Sequence, residues 1–335
     1  MRTTISEIAA RAGLSTATVD RVLNDRGGVK DRTCDIVRQV AAELGYFGPA
    51  AHVDPAEIRL DIVLPAGANS FMRELRQNLI RECAHREDLR LRIHDVDDPD
   101  QGIIEKRLAE LRGQTDAVGV VVPDRPEIRE TLNMLAGSGV KVATLVSDIP
   151  LINKVGYVGV DNRASGRTAG LLLGRLMGQS QHRNIALFVG SRAYRGHEER
   201  EMGFRSILAE EFPDMRISAY AELGDDRVRA YQEMTAILQS GPIGGIYNIG
   251  SGNQGIAQAL REAHLARDTV FVGHDLTDAS RILLLDRTMD AVIDQNPRVE
   301  AREAVRMLSS AVRGGAEPEY LPRVQIILRE NIPTD

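Results

Sequence analysis

The chain has 335 residues, 43% of them hydrophobic, and a formal net charge of −6. This length exceeds one ordinary core, and the acidic balance excludes a protein that coats nucleic acid generally. No apolar run approaches the ~18 residues of a membrane span, the first ten residues lack the apolar core of a secretory signal, and Cys34 and Cys83 form no paired motif, so we expect a cytoplasmic protein without membrane contact.

Residues 3–46 predict three short helices. Thr4 and Glu7 have the spacing of a capping box that begins a helix, and Gly13 ends that helix. Ser15 is suited to cap the second helix, and a third amphipathic segment follows at about residues 31–44. Three short helices around a glycine-bearing turn predict an all-α helix-turn-helix domain at residues 1–48.

The second helix of such a domain enters the major groove with its N-terminus first, so Thr16 and Ala17 are expected to meet base edges and Arg21 to donate to a guanine. The residues expected to bind phosphates are Ser15, Thr18 and Asn24. Residues 1–50 hold seven basic and six acidic side chains, so non-specific attraction to DNA should be weak and a homodimer with two heads is expected. A helical bundle that binds a protein, or nothing, is the alternative.

Beyond a linker at residues 49–59, short β-branched runs alternate with amphipathic segments of helical length. This pattern predicts α/β structure, with two doubly wound parallel-sheet lobes and a cleft between them. The expected strands are 60–65, 89–96, 117–123, 141–147, 184–190, 217–222, 244–250, 269–275, 290–294 and 322–328. The expected helices are 72–85, 102–111, 127–136, 163–178, 198–212, 227–240, 253–264 and 297–314. Within the domain at 60–335, lobe 1 is expected at about 60–160 plus 295–320, and lobe 2 at about 161–290 plus 321–335.

The stretch TTISEIAARAGLSTATVDRVLN, followed by GV, RT and AAELGY, resembles the head of the lactose/galactose-repressor (LacI/GalR) family of bacterial transcription regulators. The body from Leu60 to Leu328 resembles the type I periplasmic-binding-protein fold, which is the effector domain of that family. The resemblance implies the operator contacts named above. It also implies a homodimeric repressor of carbohydrate or polyol genes that is not an enzyme, needs no cofactor and changes its operator affinity when a small molecule binds between the lobes.

Three departures from the family pattern occur in or just after the head. Asp20 stands where the family has a phosphate-binding serine, and Lys30 stands where it has the serine that caps the third helix. The run FGPAAHVDPAEIRLD at residues 47–61 lacks the leucine that wedges into the minor groove and the basic residues before it. Kinking of the operator by an intercalated side chain is therefore not predicted.

Ligands of open α/β sheets bind at the carboxyl ends of the strands, so polar residues there are the candidates. By resemblance, Phe71 is the ring-stacking aromatic, and Arg200, Asp275 and Asn248 are ligand-binding residues. The strand at 184–190 is followed directly by two more candidates, Ser191 and Arg192. A lobe-to-lobe salt bridge is the alternative for Arg200, and a core contact is the alternative for Phe71.

The effector class stays open between a sugar, a polyol, a sugar phosphate and a nucleoside. Arg192, Arg195 and Arg200 would suit an anion, whereas Asp226, near the place where sugar-binding relatives often have a large aromatic, indicates a small or polar ligand. The sequence does not distinguish an inducer from a corepressor.

A rival interpretation comes from Gly250, Gly252 and Gly255, which have the G-x-G-x-x-G spacing of a dinucleotide site, with Asp275 twenty residues beyond the last glycine. An NAD-dependent enzyme would use that stretch, but a helix-turn-helix domain has no role in a dehydrogenase. The acidic run HDVDDPD lacks the glycine and glutamate of a calcium loop, and no histidine spacing predicts a metal site.

Overall fold

A computed structural model describes residues 4–23, 29, 33–34, 36–37, 40–41, 44, 46, 57–67, 69–96, 102–179, 182–315 and 319–334. The chain forms two compact units, Met1–Glu57 and Ile58–Asp335. No helix in these ranges is long and apolar enough to cross a membrane.

The first unit begins with helices α1 (Ile5–Ala12) and α2 (Thr16–Leu23). The predicted capping box is present, because the Thr4 backbone N–H donates to Oε2 of Glu7 (2.7 Å) and the Thr4 hydroxyl accepts from the Glu7 N–H (3.4 Å). Within the predicted third helix, described residues 33–34, 36–37 and 40–41 are helical, and Leu44 lies in a turn. The small core that unites these segments contains Ile8, Ala9, Val19, Val22, Val37 and Ala41. Asn24, Lys30 and linker residues 49–56 lie outside the described residues.

The second unit contains two sheets. The first has the order β2-β1-β3-β4-β5 and is parallel throughout. Its strands are β1 (Ile58–Pro65), β2 (Leu89–Val96), β3 (Ala117–Val120), β4 (Lys141–Leu145) and β5 (Gly156–Val158). Its helices are α3 (Ser70–Cys83), α4 (Ile103–Glu110), α5 (Pro126–Gly137) and, from late in the chain, α11 (Pro297–Val312). One face of the sheet packs on α3 and α11 and the other on α4 and α5, so both faces are buried, as the continuous apolar strands predicted.

The second sheet has the order β11-β10-β9-β8-β6-β7, and only β11 is antiparallel to its neighbour. Its strands are β6 (Asn184–Val189), β7 (Arg216–Glu222), β8 (Gly245–Asn248), β9 (Val270–His274), β10 (Ala291–Asp294) and β11 (Gln325–Ile327). Its helices are α6 (Asn162–Leu176), α7 (Arg195–Glu211), α8 (Arg227–Ser240), α9 (Asn253–Glu262) and α10 (Asp278–Leu285). The chain passes between the sheets after β5, after β10 and before β11, so three segments form the hinge.

The predicted strands and helices of both lobes are confirmed, with ends shifted by a few residues. One strand and one α-helix were missed. Strand β5 has only three residues and depends on pairing with β4 and on a bridge from Val158 to Tyr320. Helix α10 begins at a capping box formed by Thr277 and Ser280, a local signal that the sequence does contain.

Candidate functional site

The carboxyl ends of the strands in the two sheets face each other across a cavity of about 510 Å³, with an adjoining extension of about 290 Å³. The order of the first sheet reverses between β1 and β3, and that of the second between β6 and β8. At such a switch point the loops leave in opposite directions and open a crevice. The cavity lies between these two switch points and has the size of a small-molecule site.

Hydrogen bonds between the lobes close the cleft around this cavity. The bonds join Asn69 Nδ2 to Asp225 Oδ2 (2.8 Å), the Gly196 N–H to Ser147 Oγ (3.0 Å), and the Asp124 N–H to the Ala193 carbonyl (2.9 Å). Each bond links the first lobe to the second, and the Gly196 N–H belongs to the first turn of α7. Changes in cleft opening must therefore break them.

Phe71 lies in the first turn of α3, is 3% exposed, and lines both the cavity and its extension. Its position is set by Asn69, whose Oδ1 accepts from the Met72 N–H (3.2 Å) and so caps the helix. The ring also packs in the core with Leu75 and Leu79. Phe71 is thus both a core contact and a wall of the cavity.

Arg200 on α7 is 3% exposed and lines the cavity. Its Nε donates to Oδ1 of Asn162 (2.7 Å) and its Nη1 to the carbonyl of Ile249 (3.1 Å). Asn162 in turn donates to the Val146 carbonyl of the first lobe (3.2 Å). Within the described residues Arg200 is held by neutral acceptors, not by a salt bridge between lobes.

Helices α6 and α7 approach closely enough to hold Arg200 in place. A Cβ on Gly166 would lie 1.9 Å from the Arg200 carbonyl oxygen, and one on Gly203 would lie 2.1 Å from the Arg163 carbonyl oxygen. Glycine is required at both positions because backbone atoms cannot move aside. The backbone of Arg200 is therefore fixed by a glycine of the neighbouring helix.

Asp275 follows β9 with φ 68°, and it lines both the cavity and the extension. Its Oδ1 accepts from Nε2 of Gln295 (2.8 Å), a residue of the hinge. Burial raises the pKa of the Asp275 carboxyl to about 6, an effect that Asp294 and Asp225 increase and Arg200 opposes. The strained backbone and perturbed carboxyl are typical of a binding residue.

The structure places the remaining ligand candidates differently. Ser191 lines the cavity and its N–H donates to Nδ1 of His197 (3.1 Å), a histidine whose pKa is lowered by burial. Arg192 does not line the cavity; its side chain is 60% exposed and lies 4.0 Å from Glu198. Asn248 is fully buried behind the cavity wall, where its Nδ2 donates to the Gly250 carbonyl (3.0 Å). The four predicted residues that meet at the cavity are Phe71, Ser191, Arg200 and Asp275.

The glycines of the dinucleotide pattern have packing roles. Gly252 has φ 109° and precedes α9, and a Cβ on Gly255 would lie 2.1 Å from the Arg227 carbonyl oxygen. The Ser251 N–H of the same loop donates to Oδ1 of Asp225 (2.8 Å). A carboxylate of the chain thus occupies the anion position that a pyrophosphate would need.

In the first unit, the residues expected to meet base edges lie along α2, with Thr16 and Ala17 in its first turn and Arg21 in its last turn. Thr16, Ala17 and Arg21 are exposed, and so is Ser15, whose hydroxyl accepts from the Thr18 N–H (3.1 Å). The buried side of α2 carries Val19 and Val22. One face of the helix therefore packs in the core while the opposite face presents short side chains and a guanidinium.

Known protein families match both units of the chain. Residues 60–316 match the periplasmic binding protein domain, and residues 4–48 match the bacterial regulatory proteins of the lacI family. The chain belongs to the LacI family of regulatory proteins. Its parallel-sheet lobes confirm the predicted fold class.

Two curated relatives of this LacI-family chain carry regulatory names. The HTH-type transcriptional regulator DegA of Bacillus subtilis (strain 168) is 29% identical over 217 residues, which is 63% of this chain and 62% of DegA. The sucrose operon repressor of Vibrio alginolyticus is 50% identical over 42 residues, which is 12% of this chain and 45% of that repressor. The aligned segments thus span less than two thirds of each relative.

Among solved structures, GanP, a glucose-galactose binding protein from Geobacillus stearothermophilus, superposes with a TM-score of 0.74 at 22% identity. The match covers 83% of the LacI-family chain and all of GanP. At this level of identity the likeness concerns the fold.

Asp225 is the main cavity residue of this LacI-family protein that sequence reasoning missed. It comes three residues after β7 ends at Glu222, so the strand-end rule that named the other candidates applies to it as well. The neighbouring Asp226, which the sequence had singled out, instead caps α8 by accepting from the Arg229 N–H (2.8 Å). Gln295 was also missed, although it directly follows β10.

Proposed function

We propose that this LacI-family protein is a transcriptional repressor that binds operator DNA as a homodimer in the cytoplasm and responds to a carbohydrate or polyol held in the cleft. The observation that carries the proposal is the cavity of about 510 Å³ between the lobes, whose wall combines Phe71, buried Arg200 and half-buried Asp275. Carboxylates accept from neighbouring hydroxyls, a guanidinium donates to ring and hydroxyl oxygens, and an aromatic face covers the C–H surface of a sugar. The names of DegA, the sucrose operon repressor and GanP support the same interpretation.

A sugar phosphate, the alternative that the arginines had left open, fits the cavity less well. Arg192 is exposed and close to Glu198, and Arg195 pairs with Glu199 (2.8 Å). Arg200 already donates to two neutral acceptors. A phosphate would need a guanidinium fork directed at it, so we favour an unphosphorylated ligand.

The homodimer is supported by exposed apolar side chains on two helices of the second lobe. Ile282 and Leu285 on α10 are 60% and 58% exposed, and Val228 at the start of α8 is 63% exposed. Large apolar side chains gain free energy when a second copy covers them. Two heads on one dimer would also add their base-contact energies, which a weakly charged head needs.

Replacement of Arg21 by Ala tests the DNA-binding part of the proposal. Loss of one bidentate guanine contact costs about 1–3 kcal/mol, so a dimer on two half-sites should lose about 2–6 kcal/mol of operator affinity. Operator fragments would be enriched from random duplexes on the wild-type protein, and affinities would then be measured by gel shift at fixed salt. Arg107→Ala, in the second unit on α4, is the matched control and should bind normally. Unchanged operator affinity in Arg21→Ala would refute the placement of α2 in the groove.

A thermal-shift screen of sugars, polyols, nucleosides, sugar phosphates and NAD distinguishes the remaining ligand classes. We expect stabilisation by a sugar or polyol, because a ligand that binds only the folded protein raises its melting temperature. A large shift with NAD and none with any carbohydrate would favour the dehydrogenase alternative. Stabilisation by sugar phosphates alone would contradict the preference for an unphosphorylated ligand.

A further inference from the structure

The cavity carries more acidic than basic groups. Three carboxylates line it, on Glu222, Asp225 and Asp275, against the single guanidinium of Arg200. His197 also lines it, and burial lowers the pKa of this histidine, which opposes a positive charge there.

The two other basic side chains near the cleft, Arg73 and Arg227, line the extension and not the cavity itself. The carboxylates therefore outnumber the guanidinium by two at the place where the body of a ligand would lie.

The three carboxylates are satisfied by neutral donors. Asp225 accepts from the amide of Asn69 (2.8 Å) and the N–H of Ser251 (2.8 Å), and Asp275 accepts from the amide of Gln295 (2.8 Å). Glu222 accepts from the backbone N–H of Arg192 (3.0 Å). Across the described parts of the second unit, no cationic side chain lies within ion-pair distance of these three groups.

Asp225 is the carboxylate best placed to set ligand charge. It lies on the second lobe and is bonded to Asn69 of the first, so a ligand group at this point touches both lobes. The space around its side chain is small, because a Cβ on Gly190 would lie 2.4 Å from Asp225 Oδ1. The backbone of Asp225 has a φ of 60°, which lies in the left-handed region that few residue types other than glycine adopt.

We propose that the ligand of this cleft is a polyol that carries a protonated amine, such as an amino sugar, and that its ammonium group binds the carboxylate of Asp225. The inference rests on the proposed carbohydrate site and adds the charge of the ligand. The ammonium group of the ligand would place a positive charge beside the carboxylates, and its hydroxyls would bind Asp275 and Arg200. An anionic ligand would face three carboxylates, with the Arg200 guanidinium as the one compensating cation among the described lining residues.

The test is isothermal titration calorimetry of the full-length protein with matched ligands. The panel consists of D-glucosamine, D-galactosamine and D-mannosamine, the three parent sugars, and the three N-acetyl forms, which are uncharged. We expect at least one amino sugar to bind ten-fold or more tightly than its parent and its N-acetyl form.

Asp225→Asn removes the charge. Asparagine tolerates the positive φ and keeps one oxygen acceptor for the Ser251 N–H, but its NH2 group replaces the oxygen that accepts from Asn69, so this bond between the lobes is lost as well. Circular dichroism checks that the variant folds. This variant should lose the ten-fold preference for the amino sugar and bind it no better than the parent. Asp226→Asn is the control, because its side chain caps α8 and asparagine caps equally well, so the preference should persist.

Two failures have different meanings. If parent sugars bind as tightly as amino sugars, or if Asp225→Asn keeps the preference, the amine inference is overturned while the carbohydrate site stands. If no compound of the panel binds at millimolar concentration, both the amine inference and the proposed carbohydrate site are contradicted.

Discussion

Asp275→Asn should stabilise the free protein while weakening its response to ligand. Burial raises the pKa of the Asp275 carboxyl from 3.8 to about 6. A shift of about two units corresponds to about 3 kcal/mol of differential interaction, at 1.36 kcal/mol per unit. Asparagine removes the buried charge, keeps an oxygen acceptor for Gln295, and tolerates the φ of 68°. The free energy of unfolding should therefore rise by about 2–3 kcal/mol at neutral pH.

The pH dependence of the stability difference between the two proteins identifies the Asp275 carboxyl as its cause. Below pH 3.8 the carboxyl is protonated in both the folded and the unfolded protein, so Asp and Asn should be equally stable there. Between pH 3.8 and about 6 the unfolded chain ionises first, so the wild type loses stability relative to the variant. Above about pH 6 the difference should be constant. Urea unfolding followed by far-UV circular dichroism at several pH values measures this, since the chain has no tryptophan.

Ligand affinity should move in the opposite direction. Loss of the charged acceptor should cost about 1.5–3 kcal/mol of binding, or roughly 10- to 150-fold in Kd. Asp278→Asn is the matched control, because this exposed carboxylate in the first turn of α10 should change stability by less than about 1 kcal/mol and leave binding intact. A variant at 275 that is less stable at pH 7.5, or a stability difference that does not vary with pH, would refute the reasoning.

Two further substitutions test packing and buried charge, both measured by urea unfolding. Gly166→Ala should destabilise by about 3 kcal/mol or more and abolish ligand response, because its Cβ would lie 1.9 Å from the Arg200 carbonyl oxygen. Gly137→Ala, with no atom within 4 Å of the new Cβ, should be neutral or stabilising; equal effects in the two would contradict the packing argument. Asp61→Asn should cost about 2–4 kcal/mol, because the fully buried Asp61 loses a bidentate pair with a guanidinium. Asp95→Asn breaks an exposed pair and should cost less than about 1 kcal/mol; a larger loss than at Asp61 would count against the role of burial.

The sequence predicted those elements whose signal is local. The Thr4 and Glu7 capping box defined the start of α1, and runs of apolar residues defined the strands of both sheets, because buried parallel strands need apolar side chains on both faces. The switch from strand-like to helix-like periodicity placed the helices of both lobes. Strand β5 escaped detection because three residues are too few for a pattern, and its pairing partner lies outside the segment.

Which of the predicted side chains line the cavity depends on the order of the strands in the two sheets. Strand-end positions together with the family resemblance named Phe71, Ser191, Arg200 and Asp275, which the fold brings to one cavity. The same two arguments also named Asn248 and Arg192, which do not line it. Whether a side chain after a strand faces the crevice is decided by the backbone of the loop and by what packs behind it.

From its residues alone, this chain determined a helical head, two layered α/β lobes and a cleft, because periodicity and caps act over a few neighbouring residues. Only the tertiary structure decided that Asp225 and not Asp226 faces the cavity, and that Arg200 is held by neutral acceptors. These outcomes depend on φ angles, close helix contacts and bonds between lobes that join residues far apart in sequence. Such non-local contacts leave no periodic trace along the chain.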